Sequence, residues 1–119
     1  MPLGSCLLHW EGPVNGAVRA RLPHVVEVTS LYVHGDTRRR GLGSALMAEA
    51  ECQAKRRTRP AIGVSVGDMN VDARQLYDRL CYSPSGVRFR SEYEYVDESG
   101  VTVQAVEEGD FLLTMLRTP

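Results

Sequence analysis

Val25-Val-Glu-Val-Thr-Ser-Leu-Tyr-Val33 is followed by His34-Gly-Asp-Thr37, Arg38-Arg-Arg-Gly-Leu-Gly43 and Ser44 to Ala54. The first nine residues are dense in Val, Thr, Tyr and Leu, which suit a pleated, half-buried strand. From Leu42 on, Leu42, Ala45, Leu46, Ala50 and Ala54 recur at helical spacing. The stretch therefore reads as strand, tight turn, glycine-bearing loop and helix. Gly41 and Gly43 leave main-chain N–H groups uncovered. A helix opening there adds its own unpaired N–H groups and the positive end of its dipole, a combination that binds phosphate. Arg38, Arg39 and Arg40 add positive charge beside it.

Strict alternation along this strand puts Glu27, Thr29, Leu31 and Val33 on one face and Val26, Val28, Ser30 and Tyr32 on the other. Neither face is apolar from end to end. A bulge near Thr29-Ser30 would restore one consistent core side, because an extra residue switches the facing parity.

Two phosphate-loop patterns do not fit. A P-loop needs Gly-Lys-Ser/Thr, whereas Gly43 precedes Ser44-Ala45. A dinucleotide loop needs a third glycine after Gly-x-Gly, and Ala45 and Leu46 follow instead. What remains is Arg38-x-x-Gly41-x-Gly43 after a strand ending Leu31-Tyr32-Val33. This resembles the acetyl-coenzyme A loop of the GNAT superfamily of N-acetyltransferases, Gln/Arg-x-x-Gly-x-Gly/Ala. A second stretch, Asn70-x-x-Ala73-x-x-Leu76-Tyr77, resembles that family's second signature and follows the first at the expected distance. Two motifs in the right order weigh more than either alone.

The remaining elements are consistent with that resemblance. Gly4 to Trp10 reads as a strand and Glu11 to Gly16 as a turn. Val18 to Leu22 reads as a short strand or loop closed by Pro23. Ala61 to Val66 reads as a strand parallel to Val25–Val33, since a helix lies between them. Asn70 to Tyr82 reads as a helix capped by Asn70, with Val71, Ala73, Leu76, Tyr77 and Leu80 as its buried stripe. Val87 to Val96, Val101 to Val106 and Asp110 to Arg117 read as three further strands, the first two joined by a turn at Asp97–Gly100. The class is α+β with a mixed, mostly antiparallel sheet and two main helices. The resemblance implies the GNAT fold without the strand and helices that usually open it, and a single domain over residues 1–119.

The resemblance also implies roles. The Arg38–Ser44 loop, including Leu42 and Gly43, would hold the coenzyme's pyrophosphate. Main chain of Leu31, Tyr32 and Val33 would bind the pantetheine arm beside the bulge. Tyr77 would give a proton or hydrogen bond to the thiolate that leaves. Asn70 would bond near the pantetheine or fix the helix start, and Arg74 would reach a phosphate or stay solvated. An amine acceptor must lose a proton before attack. Glu27, an acid inside an apolar strand, is the best candidate base, ahead of His24 and His34. Glu49, Glu51, Glu92 and Glu94 read as exposed-face charges. The family carries Gly where Cys81 stands, so Cys81 is accommodated only if the backbone there avoids the left-handed region.

Composition bounds the rest. The chain has 119 residues, 43% hydrophobic and 24% charged, with a net charge of −1. That balance points neither to nucleic acid nor to an anionic membrane. Lys55-Arg-Arg-Thr-Arg59-Pro60 reads as a basic helix end, or as a contact for the coenzyme's outer phosphate. The three cysteines, Cys6, Cys52 and Cys81, lack metal spacing and suggest buried or half-buried thiols in a reducing, cytoplasmic setting. No apolar run approaches the length of a membrane helix, no secretory leader is visible, and no metal is expected. An uncovered sheet edge near residues 4–10 would be a pairing liability, which suggests a homodimer. The activity implied is direct acetyl transfer from acetyl-CoA to a primary amine. The rival is a non-catalytic acyl-CoA-binding sensor module. The acids of Glu92–Glu98 and Glu107–Asp110 would draw a cationic amine if they line the cleft.

Overall fold

The computed structural model describes residues 4–33 and 41–116. The elements run β1 (Gly4–His9), α1 (Gly16–Arg21), β2 (Val25–Val33), α2 (Leu42–Arg56), β3 (Ala61–Gly67), α3 (Val71–Arg79), β4 (Ser83–Val96) and β5 (Thr102–Met115). They form one sheet of order β1-β2-β3-β5-β4. The pairing of β2 with β3 is parallel and the other three pairings are antiparallel. This is the expected α+β class with a mixed sheet.

The bulge in β2 is present. Ser5 faces Tyr32 and Leu7 faces Thr29, so β2 carries one residue more than β1 across that step. Ser30 takes it up with a left-handed φ of 55°. The switch has the expected result, because Leu31 packs with Val26 and Val28 against one core cluster.

The sheet buries both faces. On one, α2 and α3 cover Val26, Val28, Ile62, Val64 and Leu112, contributing Met47, Ala50, Ala54 and Tyr77. On the other, Val18 of α1 packs with Val25, Ala61, Val87, Phe89 and Phe111. Phe111 lies over Gly63, where an added Cβ would fall 2.4 Å from the ring.

Several expectations are corrected. Residues 16–21 are helical rather than strand or loop. The Asn15 side chain accepts from the N–H groups of Ala17 and Val18, which caps the first turn, and burial of Val18 holds the helix to the sheet. The segments read as two strands over 101–106 and 110–117 are one, because β5 runs unbroken through Gly109, whose missing side chain allows close approach to Val66. On α2 the expected Ala50 and Ala54 are buried, joined by Met47, which the helical spacing did not include, while Ala45 is exposed. Val71 is also exposed, since it opens α3 at the sheet's rim. Cys52 and Cys81 are exposed rather than buried, and Cys6 is partly buried. Cys81 takes φ 68°, so it occupies the left-handed position directly after α3 that glycine favours.

Candidate active site

β2 and β3 pair only over Val25–Ala61, Val26–Ile62 and Glu27–Gly63. Beyond Glu27 they separate, and the β2 main chain facing β3 has no strand partner there. A cleft of about 1150 Å³ occupies the gap. Its walls are Glu27 to Leu31 of β2, Gly41, Gly43 and Ser44 at the start of α2, Ser65 of β3, and Asn70, Leu76 and Tyr77 of α3.

The α2 wall opens on main-chain amides. Gly41 sits at the N-cap with φ 76°, and no side chain among the described residues caps the helix. The amides of Leu42, Gly43 and Ser44 therefore have no partner within the helix. Glycine at 41 answers the backbone rather than the space, since an added Cβ would meet nothing within 4 Å. The expected contributions of Arg38, Arg39 and Arg40, and of His34, lie outside the described residues.

Glu27 is 2% exposed, the single charged residue buried in the described core. Its Oε1 accepts the Val14 N–H at 2.8 Å. Across the β1–β2 ladder it faces His9, whose Nε2 shares a 2.5 Å hydrogen bond with Thr29 Oγ1. Nothing in the sequence marked His9, because a single histidine at a strand end carries no pattern. His24 is exposed and does not line the cleft.

Tyr77 is buried on α3 and lines the same cleft. Burial, with Cys6 nearby as a smaller cause, pushes its hydroxyl up to about 12. It is therefore a protonated donor at neutral pH. The ring of Tyr82 packs against it at 5.8 Å between centroids. Tyr82 in turn donates its O–H to Glu51 Oε2 at 2.9 Å, tying the end of α3 to α2. Glu51 is thus not an ordinary surface charge, and helix periodicity alone does not reveal this link. Burial and the Glu51 carboxylate both raise the Tyr82 pKa.

Asn70 both caps α3, accepting from the Ala73 N–H at 3.2 Å, and lines the cleft. Arg74 is turned away from the cleft lining. It pairs with Asp110 at 3.1 Å and Asp78 at 3.4 Å. The acids considered for amine attraction also lie off the cleft. Asp110 binds Arg74 and Arg88, while Glu92 and Glu108 bind Arg90. The Lys55–Arg59 run stands at the far end of α2, about 20 Å from the Gly41 amides at 1.5 Å per residue. There the Arg57 guanidinium lies 4.0 Å from the centroid of the Trp10 ring.

A strand pair that splays beside a helix N-terminus, with the glycine loop before it, is matched at the level of sequence. The model of the acetyltransferase (GNAT) family matches residues 2–81. The chain belongs to the GNAT acetyltransferase family. Solved structures agree on the fold of this GNAT chain. An N-acetyltransferase from Staphylococcus aureus Mu50 superposes with a TM-score of 0.67 at 16% identity, covering 97% of this chain and 61% of the other. The Salmonella typhimurium protein yncA, solved with its cofactor acetyl-CoA, gives 0.65 at 19%, covering 98% and 60%. The ribosomal-protein-S18-alanine N-acetyltransferase of Escherichia coli gives 0.57 at 19%, covering 81% and 57%. The GNAT chain thus spans about 60% of the length of the yncA chain it matches. Among curated proteins there is no significant match.

Proposed function

We propose that this GNAT chain is an acetyl-CoA-dependent N-acetyltransferase that moves the acetyl group directly to a primary amine. The observation that carries this reading is that Glu27 and Tyr77, from different elements, both line one cleft beside the first α2 amides and the β2 main chain that has no β3 partner. Family membership and the acetyl-CoA in the yncA structure supply the cosubstrate class.

The thioester supplies an activated acetyl group when bound. The amides of Leu42, Gly43 and Ser44 fit its pyrophosphate, joined in this reading by Arg38–Arg40. Main chain of Leu31 to Val33 fits the pantetheine arm and polarises the acyl carbonyl. A carbon–nitrogen bond forms to the amine as the carbon–sulfur bond breaks. Glu27 takes the proton the acceptor must lose, and the Tyr77 hydroxyl gives a proton or hydrogen bond to the departing sulfur. Holding both reactants side by side supplies much of the acceleration. The free thiols of Cys6, Cys52 and Cys81 suit the reducing cytoplasm.

Calorimetric titration of acetyl-CoA into the wild type and Gly41→Pro tests the cofactor, with binding expected in the first and lost in the second. A primary-amine panel, read by release of free thiol, then tests turnover. Thiol release that falls in Glu27→Gln and Tyr77→Phe supports the transferase. Binding without turnover on any amine would make the chain a sensor module.

A further inference from the structure

Glu27 is buried, and its Oε1 is taken by the Val14 N–H. A proton released in the cleft therefore needs a further way to bulk water. The ladder between β1 and β2 supplies one. Leu7 faces Thr29, Leu8 faces Val28 and His9 faces Glu27 without interruption, so by alternation His9, Glu27 and Thr29 share one side of the sheet. His9 and Thr29 are diagonal neighbours on that side, and His9 Nε2 and Thr29 Oγ1 are hydrogen-bonded at 2.5 Å.

The two bonded residues open on different spaces. Thr29 lines the cleft, as Glu27 and Tyr77 do. His9 lines a second cavity of about 450 Å³, together with Glu11, Val14 and Arg19. Those three are exposed, so this outer cavity is open to solvent. Thr29 does not line the outer cavity and His9 does not line the cleft. Their hydrogen bond crosses the wall between the two.

The stoichiometry of amide formation calls for such a crossing. A primary amine arrives as an ammonium, with a pKa near ~10 for a lysine-like group. It gives up two protons, one before attack and one as the carbon–nitrogen bond forms. Protonation of the departing sulfur balances one of them. The other is released.

We infer that Thr29 and His9 carry the released proton out of the cleft, an inference that rests on the transferase reading above. The Thr29 hydroxyl accepts a proton from the ammonium while its own proton passes to Nε2 of the neutral His9 ring. The hydroxyl is thereby unchanged and the ring becomes an imidazolium. The imidazolium gives a proton to water in the outer cavity and returns to its neutral state. Glu27 is left to take the second proton, as the new bond forms. Thr29 meets the acceptor, and His9 acts through it. The charged groups facing His9 are Glu27 across the ladder and Glu11 and Arg19 in the outer cavity, so pH profiles are compared between variants that keep all three.

Steady-state thiol release over a primary-amine panel, from about pH 6 to about pH 9.5, tests the inference. His9→Gln keeps a hydrogen-bonding group for Thr29 but cannot carry the proton. Its kcat should fall by about 100-fold at neutral pH, with acetyl-CoA affinity and the circular dichroism spectrum unchanged. The deficit should shrink as pH approaches the acceptor's own pKa, where the amine arrives already neutral. Thr29→Val should share this profile, and Thr29→Ser, which keeps the hydroxyl, should follow the wild type. Added imidazole should restore turnover to His9→Ala through the outer cavity. Full activity in His9→Gln would overturn the inference. So would a deficit that is equal at every pH and not rescued by imidazole, which would make the His9–Thr29 bond structural. A wild type that releases no thiol with any amine would overturn the transferase reading itself, and this inference with it.

Discussion

The Val14 N–H donates to Glu27 Oε1 at 2.8 Å, and this bond fixes the one charged side chain buried in the described core. A glutamine keeps an oxygen that can accept the same N–H, so Glu27→Gln should leave thermal stability near that of the wild type. It cannot take a proton, and its rate of acetyl transfer should fall by about 100-fold. Glu27→Ala differs, because it leaves the Val14 N–H without its acceptor at a cost of about 1–3 kcal/mol. Melting curves and steady-state rates on the two variants separate the chemical role from the structural one.

Tyr77→Phe removes the hydroxyl from the cleft and keeps the ring that packs on Tyr82. Turnover should drop by about 10- to 100-fold with little change in acetyl-CoA affinity. Comparing kcat with the calorimetric binding constant checks this.

The raised Tyr77 pKa carries a stability signature. Burial disfavours the phenolate in the folded chain, where the pKa is about 12, whereas an unfolded tyrosine titrates near ~10. The stabilisation is therefore complete below that unfolded value and is lost as pH rises through about 12. Denaturant midpoints measured from pH 8 upward should fall along this limb, as an expected ~pH 10–12 decline. Tyr77→Phe should make the decline shallower.

Cys81 is exposed and left-handed, with φ 68°. A glycine there removes the steric cost without losing buried surface. Cys81→Gly should raise stability by about 1 kcal/mol, read as an upward shift in the urea midpoint at constant slope.

Gly63 is held by close approach, since a Cβ added there would fall 2.4 Å from Phe111 Cε1 and 2.7 Å from the Leu112 carbonyl oxygen. Gly63→Ala should displace the Phe111 ring beneath the Glu27 strand and cost about 2 kcal/mol or more. Chemical denaturation checks the magnitude.

The loop-and-helix stretch around Gly41 and the capped helix at Asn70 were legible in the chain because their signals are local. A glycine at a helix start, an Asn cap and a helical apolar spacing each act within a few residues. Even the bulge in β2 left a trace, since Leu31 falls out of phase with Val26 and Val28. The short helix over Gly16–Arg21 did not announce itself, for six residues are too few to show a period and Val18 alone decides its seat. The Tyr82–Glu51 bond and the Val14–Glu27 bond join residues far apart in sequence, so no spacing encodes them.

Sequence alone determined the class of the sheet, the helix start at Gly41 and the Asn70 helix, because side-chain pattern and backbone preference are local properties; Glu27 stood out as an acid in an apolar strand, and Tyr77 as a candidate through the resemblance of its motif. Tertiary structure decided that these two line one cleft, that Arg74 turns to Asp110 instead, and that the last two apolar segments fuse into one strand whose far half pairs with β4 alone. Those outcomes depend on where β2 parts from β3 and on which distant carboxylates and rings come within contact distance, and only the packed chain sets such distances.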